Sequence, residues 1–194
     1  IFFNFIQTLV YCFCCVWLCY TFDMIDTATF DLSQKNMDYD ARLYHQLLMD
    51  KQFFCRVYTW KIPGITFYYK RVPDNAFSYL DQGSRITGGG IVFHSPDDIV
   101  WSLGGSFDDV RFSISVKQLM EWVAAGFKQS LRDCGVMLNH VFSDEKQDIN
   151  FCASYHNPYE LYFNDSKVFG MAVKRTKSFF MVQGVLHIAN GNDF

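Results

Sequence analysis

Hydrophobic residues recur at helical spacing in two stretches of this chain and at strand spacing in most of the rest. Across residues 36–49, Met37, Ala41, Tyr44, Leu47 and Leu48 repeat with a helical period, and Asn36 is placed to cap the helix they predict. A second helix opens at Ser115, which has capping-box spacing with Gln118. Leu119, Trp122, Val123, Gly126, Phe127 and Leu131 line one of its faces, and Gly135 is placed to stop it. Runs rich in β-branched and aromatic residues predict strands over 54–60, 65–69, 91–93, 99–103, 110–114, 150–152, 160–163, 167–173 and 179–188, the last interrupted at Gly184. Pro63-Gly64 and Asn164-Asp165-Ser166 have turn composition, and residues 143–148 form a polar connection. Helix, strands, helix, strands is not the alternation of βαβ units. It predicts an α+β domain with a mixed, mostly antiparallel sheet flanked by helices. No repeat, low-complexity tract or linker divides residues 24–194, which read as one domain.

Residues 1–22 carry no charge and are almost wholly apolar. That length just suffices to span a bilayer, but the run lacks the basic start and small-residue cleavage site of a secretory signal. The chain begins with Ile, and Met24 follows the run. Residues 1–23 are therefore an apolar N-terminal extension with several readings open: an artefact of upstream sequence read in frame, a membrane anchor, or a buried helix.

The three consecutive glycines Gly88, Gly89 and Gly90 lie between Arg85-Ile86-Thr87 and the apolar run Ile91-Val92-Phe93. Glycine loses the most backbone freedom on folding, so a triplet is costly in a regular element. Leading into a strand, it lets another backbone or a ligand approach closely and frees N–H groups to face an anion or a carbonyl oxygen. The plainer reading is a glycine turn beside a core strand. Neither the phosphate-loop nor the dinucleotide-binding pattern is met.

Composition narrows the choices. The 194 residues suffice for one domain with a sizeable core, and 50% are hydrophobic. A net charge of −3 argues against nucleic acid as the main partner. Of seven cysteines, Cys12, Cys14, Cys15 and Cys19 crowd the start, leaving Cys55, Cys134 and Cys152 in the globular part. Such a set is not a disulfide framework, and it points to a reducing, cytoplasmic compartment. No histidine makes a metal-ligand spacing with a second ligand; Cys152-x-x-x-His156 alone is weak. Taken singly, Cys152 beside Phe151 reads as a buried free thiol, Lys167 as a solvated residue at a turn, and His94 as a polar strand end. Lys174-Arg175-Thr176-Lys177 reads as a solvated basic turn.

Several motifs together resemble the catalytic domain of the biotin/lipoate-protein ligase family, lipoate-protein ligase A-like. Arg85-x-Thr87-Gly88-Gly89-Gly90-x-Val92-x-His94 looks like its signature loop, which wraps the acyl chain. Arg56-x-Tyr58-x-Trp60-x-x-Pro63 is similar to its first strand pair, and Asp98-Ile99-Val100-Trp101-Ser102-Leu103 to the strand after the loop. Lys167-Val168-Phe169-Gly170-Met171-Ala172 resembles its Lys-apolar-x-Gly-x-Ala motif, whose lysine works at the acyl carbonyl. Cys152 ahead of Tyr159-Glu160-Leu161 looks like the octanoyltransferase branch, in which the cysteine carries the acyl group as a thioester. The chain departs from the pattern at Val173 and at Val182-Gln183-Gly184, where the family has an amide and Gln-His-Gly.

The resemblance implies an acyltransferase that moves an octanoyl or lipoyl group onto a lysine of a lipoyl-carrier domain, as in 2-oxoacid dehydrogenases or glycine-cleavage proteins. Acyl carrier protein is a candidate donor. Cys152 and Lys167 would be catalytic; Arg85, Thr87, Gly88, Gly89, Gly90, His94, Gly170 and Ala172 would line the substrate site. A thiolate is the attacking species, and a nearby ammonium both favours it and stabilises the oxyanion that develops. The transferase needs no cofactor. The alternative is an ATP-dependent lipoate-protein ligase using ATP and Mg through a lipoyl-adenylate, and a further one is a degenerate, non-catalytic acyl-binding homologue. The basic run at 174–177 could then receive an acidic carrier. Neither nucleic acid nor a membrane is an expected partner.

Overall fold

The computed structural model describes residues 25–107, 115–139, 159–164 and 166–188. The predicted strands at 110–114 and 150–152, the polar connection at 143–148 and the apolar extension at 1–23 lie outside these residues, as does Cys152. The elements are β1 (Ile25–Asp31), α1 (Ser33–Asp50), β2 (Phe54–Trp60), β3 (Gly64–Tyr68), β4 (Asp81–Arg85), β5 (Val92–His94), β6 (Ile99–Ser106), α2 (Val116–Asp133), β7 (Leu161–Phe163), β8 (Ser166–Arg175) and β9 (Phe179–Leu186). A six-stranded sheet runs in the order β1-β2-β6-β9-β8-β7, and a three-stranded sheet in the order β4-β3-β5. Both are mixed: β1 pairs parallel with β2 and β3 with β4, and the remaining ladders are antiparallel. This is the α+β arrangement expected from the sequence.

Successive side chains on a strand point to opposite faces, and the central strands β2, β6 and β9 are buried on both. Cys55 and Val57, Ile99, Trp101 and Leu103, Phe169 and Met171, and Phe180 and Val182 meet Leu119, Val123, Phe127 and Leu131 of α2 in the largest core cluster. The alternate positions face α1. Met37 packs with Tyr58, Trp60, Val100 and Val185, and Leu43, Tyr44 and Leu47 pack with Phe54 and Met181. Strands β2 and β6 are buried along their whole length, as central strands between two helices must be.

The two helices end differently. Helix α2 carries the expected capping box between Ser115 and Gln118. Gly135, with φ +83, closes it: its N–H donates to Arg132 O and that of Val136 to Leu131 O. In α1, by contrast, Asn36 is not the cap. The helix starts three residues earlier, at Ser33, and its N-cap Leu32 has no side-chain acceptor. The Asp81 carboxylate of β4 accepts from Ser33 N–H at 2.6 Å instead, so a residue far along the chain caps the helix. Close approach makes this possible, since a Cβ on Gly83 would lie 2.8 Å from the Ser33 backbone. The buried face of α1 is Ser33, Asn36, Met37, Asp40, Leu43, Tyr44 and Leu47. Leu48, expected inside, is exposed.

Three further differences have physical causes. Strand β1 and its parallel crossover through α1 to β2 form a βαβ unit that the sequence pattern did not signal, because Asp and Thr interrupt the apolar run. Strand β4, Asp81-Gln-Gly-Ser-Arg85, is too polar to read as a strand, yet pairs residue for residue with β3. Strand β9 is not interrupted at Gly184. That residue faces Trp101 across the ladder, where a Cβ would lie 2.0 Å from Trp101 Cζ2. The indole occupies the place of the missing side chain, with Phe127 at 4.4 Å and Phe169 at 5.7 Å between ring centroids.

Gly184→Ala is therefore expected to destabilise the chain by about 3 kcal/mol, the upper range of overpacking costs. Urea unfolding of Gly184→Ala, Trp101→Phe and the double variant should show the double costing less than the sum of the singles.

Candidate active site

A single carboxylate gathers the polar groups that face α1. Asp40, fully buried, accepts from Arg56 Nη1 at 2.8 Å and Ser102 Oγ at 2.9 Å through Oδ1. Its Oδ2 accepts from Tyr58 Oη at 2.9 Å and Gln183 Nε2 at 2.6 Å. Arg56 also donates to Asn36, at 2.7 Å to Oδ1 and 3.2 Å to the backbone oxygen, and its guanidinium lies 3.9 Å from the Tyr58 ring centroid. Burial, with the Asp40 charge beside it, holds the Tyr58 phenol well above its ordinary range, so it stays a donor. The cluster joins α1, β2, β6 and β9. At its edge the Gln183 amide bridges outward, its Oε1 accepting from Thr87 Oγ1 at 2.7 Å.

That last bond carries the network into the glycine loop. Arg85, buried, donates through Nη2 to the carbonyls of Gly88 at 3.0 Å and Gly90 at 2.6 Å. Through Nη1 it reaches Thr66 Oγ1 at 3.4 Å, and Thr66 Oγ1 is hydrogen-bonded to His94 Nε2 at 2.8 Å. Gly89 adopts φ +99, a conformation that a side chain would strain. A Cβ on Gly88 would meet nothing within 4 Å, and Gly88 N–H reaches Val173 O of β8 at 3.5 Å.

Beneath the loop, β8 presents its smallest residues. Ala172 pairs with Gln183 and Gly170 with Val185, so both share the face that Thr87 touches. Lys167 reaches the same face, its Cε 3.5 Å and Nζ 3.9 Å from where a Cβ on Gly170 would stand. Its ammonium is ion-paired with Glu160, which is almost fully buried and also accepts from Tyr162 Oη at 3.3 Å. Burial and the Glu160 charge push the Tyr162 phenol up, keeping it protonated. The structure thus brings Arg85, Thr87, Gly88, Gly89, Gly90, Gly170, Ala172 and Lys167 together around one small-residue floor.

His94 is a strand end, the last residue of β5, but not a solvated one. It is buried, with its ring 4.5 Å from that of Trp60, and burial, then the neighbouring His187 and Arg85, holds its proton affinity well below the usual histidine range. In the basic run, Lys174 Nζ lies 5.7 Å from the Tyr44 ring centroid and Arg175 Cζ 4.7 Å from that of Phe107, while Lys177 is exposed. Sequence reasoning missed Asp40 as the hub and Glu160 as the partner of Lys167. Two polar residues on the buried stripe of α1, Asn36 and Asp40, were the available signal.

Removing the hub leaves Arg56 as an uncompensated buried charge, so Asp40→Ala should cost about 3–5 kcal/mol in urea unfolding. For His94, the folded state resists a proton that the unfolded state takes up near its model value of 6.5. Its contribution is complete above that pH and is lost as pH falls below it, with a slope of up to about 1.4 kcal/mol per pH unit. His94→Gln should flatten the acid limb of a stability-against-pH curve.

Comparison with known proteins bears on the family and the fold. A family model of the lipoyl protein ligase A/B catalytic domain matches residues 80–192. Among curated proteins no relative matches the chain. A lipoate-protein ligase A bound with ATP superposes with a TM-score of 0.63 and 16% identity, over 84% of this chain and 66% of that one. Protein Ta0514 of T. acidophilum with bound lipoic acid gives 0.65 and 17%, over 88% and 71%. A bi-partite lipoate protein ligase from Thermoplasma acidophilum, described with its E2 lipoyl domain, gives 0.59 and 15%, over 87% and 63%. The chain thus spans about two thirds of the length of these relatives, and at such identities the likeness is one of fold. The family match, covering more than half of the sequence and containing the glycine loop and the lysine strand, identifies the chain as a member of the lipoyl protein ligase A/B catalytic-domain family.

Proposed function

We propose that this protein transfers an octanoyl or lipoyl group to a lysine of a lipoyl-carrier domain. The observation that carries the reading is the Lys167 amine, held by buried Glu160 and laid over Gly170 on the face that the glycine loop covers. Gly170 and Ala172 present nothing larger than a methyl group, the kind of floor along which an extended acyl chain would lie. The ammonium at its end is placed to favour charge developing on the acyl oxygen. The relative described with an E2 lipoyl domain makes such a domain a reasonable acceptor. Acidic residues of a carrier would be complemented by the exposed end of the basic run at 174–177.

In the leading version Cys152 carries the acyl group. Its thiolate attacks a donor thioester, the donor thiol leaves, and the acceptor amine then displaces the cysteine. In the second version, favoured by the likeness to a ligase bound with ATP, ATP enters as a substrate with its own Mg, and Lys167 contacts an acyl-adenylate. Cys152 is then incidental.

Incubation of the protein with carrier domain and either an octanoyl thioester or lipoate plus ATP, read by intact mass, separates the versions. The expected result is an acyl adduct on the protein, lost in Cys152→Ala, followed by a modified carrier. Lys167→Ala should slow carrier modification by about 10²–10³-fold. Strict ATP dependence that survives Cys152→Ala overturns the cysteine route in favour of the ligase. An unmodified carrier under both conditions leaves an acyl-binding homologue.

A further inference from the structure

One titratable pair beside the site has no part in the reading above. His187, the residue after β9, has its Nδ1 3.0 Å from Asp98 Oδ2. Asp98 is 1% exposed and is itself held by the N–H of Ser95, which donates to the same oxygen at 2.8 Å. An ionised carboxylate can only accept, so a buried one fixed by a backbone donor and facing Nδ1 takes Nδ1–H as its donor. In the neutral imidazole Nε2 then carries the lone pair, the orienting relation in which an imidazole serves as a base. The His187 side chain is 22% exposed, and among the described residues Nε2 has no hydrogen-bond partner.

The register places this pair at the acyl end of the floor. His187 N–H donates to Val168 O at 2.8 Å, and Val168 adjoins Lys167. Alternation along β9 puts His187 on the face of Gln183 and Val185, and Val185 pairs with Gly170, over which the Lys167 amine lies. The titratable groups that face His187 are Asp98 from the β5–β6 connection and His94 from β5, and the backbone bond to Val168 sets it one residue along β8 from Lys167, whose ammonium is paired with Glu160. His94 is buried and bonded through Nε2 to Thr66, so it offers no free nitrogen to an incoming group.

We infer that His187, oriented by Asp98, is the base that takes a proton from the acceptor lysine before that lysine attacks the acyl carbonyl. This rests on the acyl-transfer reading and holds for either donor. The acceptor arrives as an ammonium, which cannot attack. His187 Nε2 takes one proton. The freed amine forms the C–N bond as the carbonyl pair shifts to oxygen, where Lys167 faces the charge. The pair returns, the bond to sulfur or phosphate breaks, the leaving group departs with the second amine proton, and His187 releases the first to water. Asp98 is a positioning residue.

The test compares two acceptors: the carrier-domain lysine, and hydroxylamine, an amine already unprotonated at neutral pH. His187→Gln in the full chain should lose about 10²–10⁴-fold in carrier acylation, the usual range for a general base, while acyl transfer to hydroxylamine changes by less than about threefold. In His187→Gly, added imidazole should restore part of the carrier rate. The inference is overturned by an equal loss toward both acceptors, by no loss toward the carrier, or by a His187→Gly protein that imidazole does not rescue. A wild-type protein inert toward both acceptors overturns the acyl-transfer reading itself, and this inference with it.

Discussion

A buried carboxylate with every acceptor position used is the constraint on which the site depends. Asp40 receives Arg56 and Ser102 on one oxygen and Tyr58 and Gln183 on the other. A charge removed from water costs several kcal/mol unless paired and fully hydrogen-bonded, so these donors have little freedom to rearrange independently. Because they come from two neighbouring strands and from β9, the carboxylate fixes how α1 sits across the sheet. Through Gln183 and Thr87 it also fixes where the glycine loop lies. The loop is therefore positioned by the core rather than by its own flexible backbone.

The two faces of the large sheet divide the labour. Toward α2 the core is apolar, with Trp101 filling the space left by Gly184 beside Phe127 and Phe169. Toward α1 the same strands alternate into polar hub and small-residue floor. The candidate site thus occupies one side of a sheet whose other side is packed against α2. A loop mounted on such a support can approach β8 closely without collapsing onto it.

Much of this was legible in the sequence, for reasons that differ by element. The helix at 116–133 announces itself because burial and period coincide, and the strands at 54–60 and 99–103 as β-branched and aromatic runs that prove buried on both faces, the second extending to Ser106. The glycine loop and the Lys167 strand were legible as motifs, and the structure brings them to one face. What escaped was long-range. Nothing local in Asp81-Gln-Gly-Ser-Arg85 says strand, because its pairing with β3 and its role as the cap of α1 are tertiary. Gly184 looked like a break because its partner, Trp101, is far away in sequence. Asp40 and Glu160 were passed over because a lone acid becomes informative only when its cation is placed beside it.

The grip of Arg85 on the loop carries a consequence of its own. The peptide bonds here are trans, so each carbonyl points opposite to the N–H that follows it. With the oxygens of Gly88 and Gly90 drawn toward the guanidinium, the amides of Gly89 and Ile91 are turned outward. The loop is an oriented dipole, negative edge inward and positive edge toward whatever lies alongside. Its sense is set by a planar guanidinium whose Nη2 donates to both loop carbonyls while Nη1 reaches Thr66, a spread that a lysine's single ammonium does not reproduce. The electrical face that this protein shows to a ligand is in that respect written at position 85 rather than in the glycines themselves.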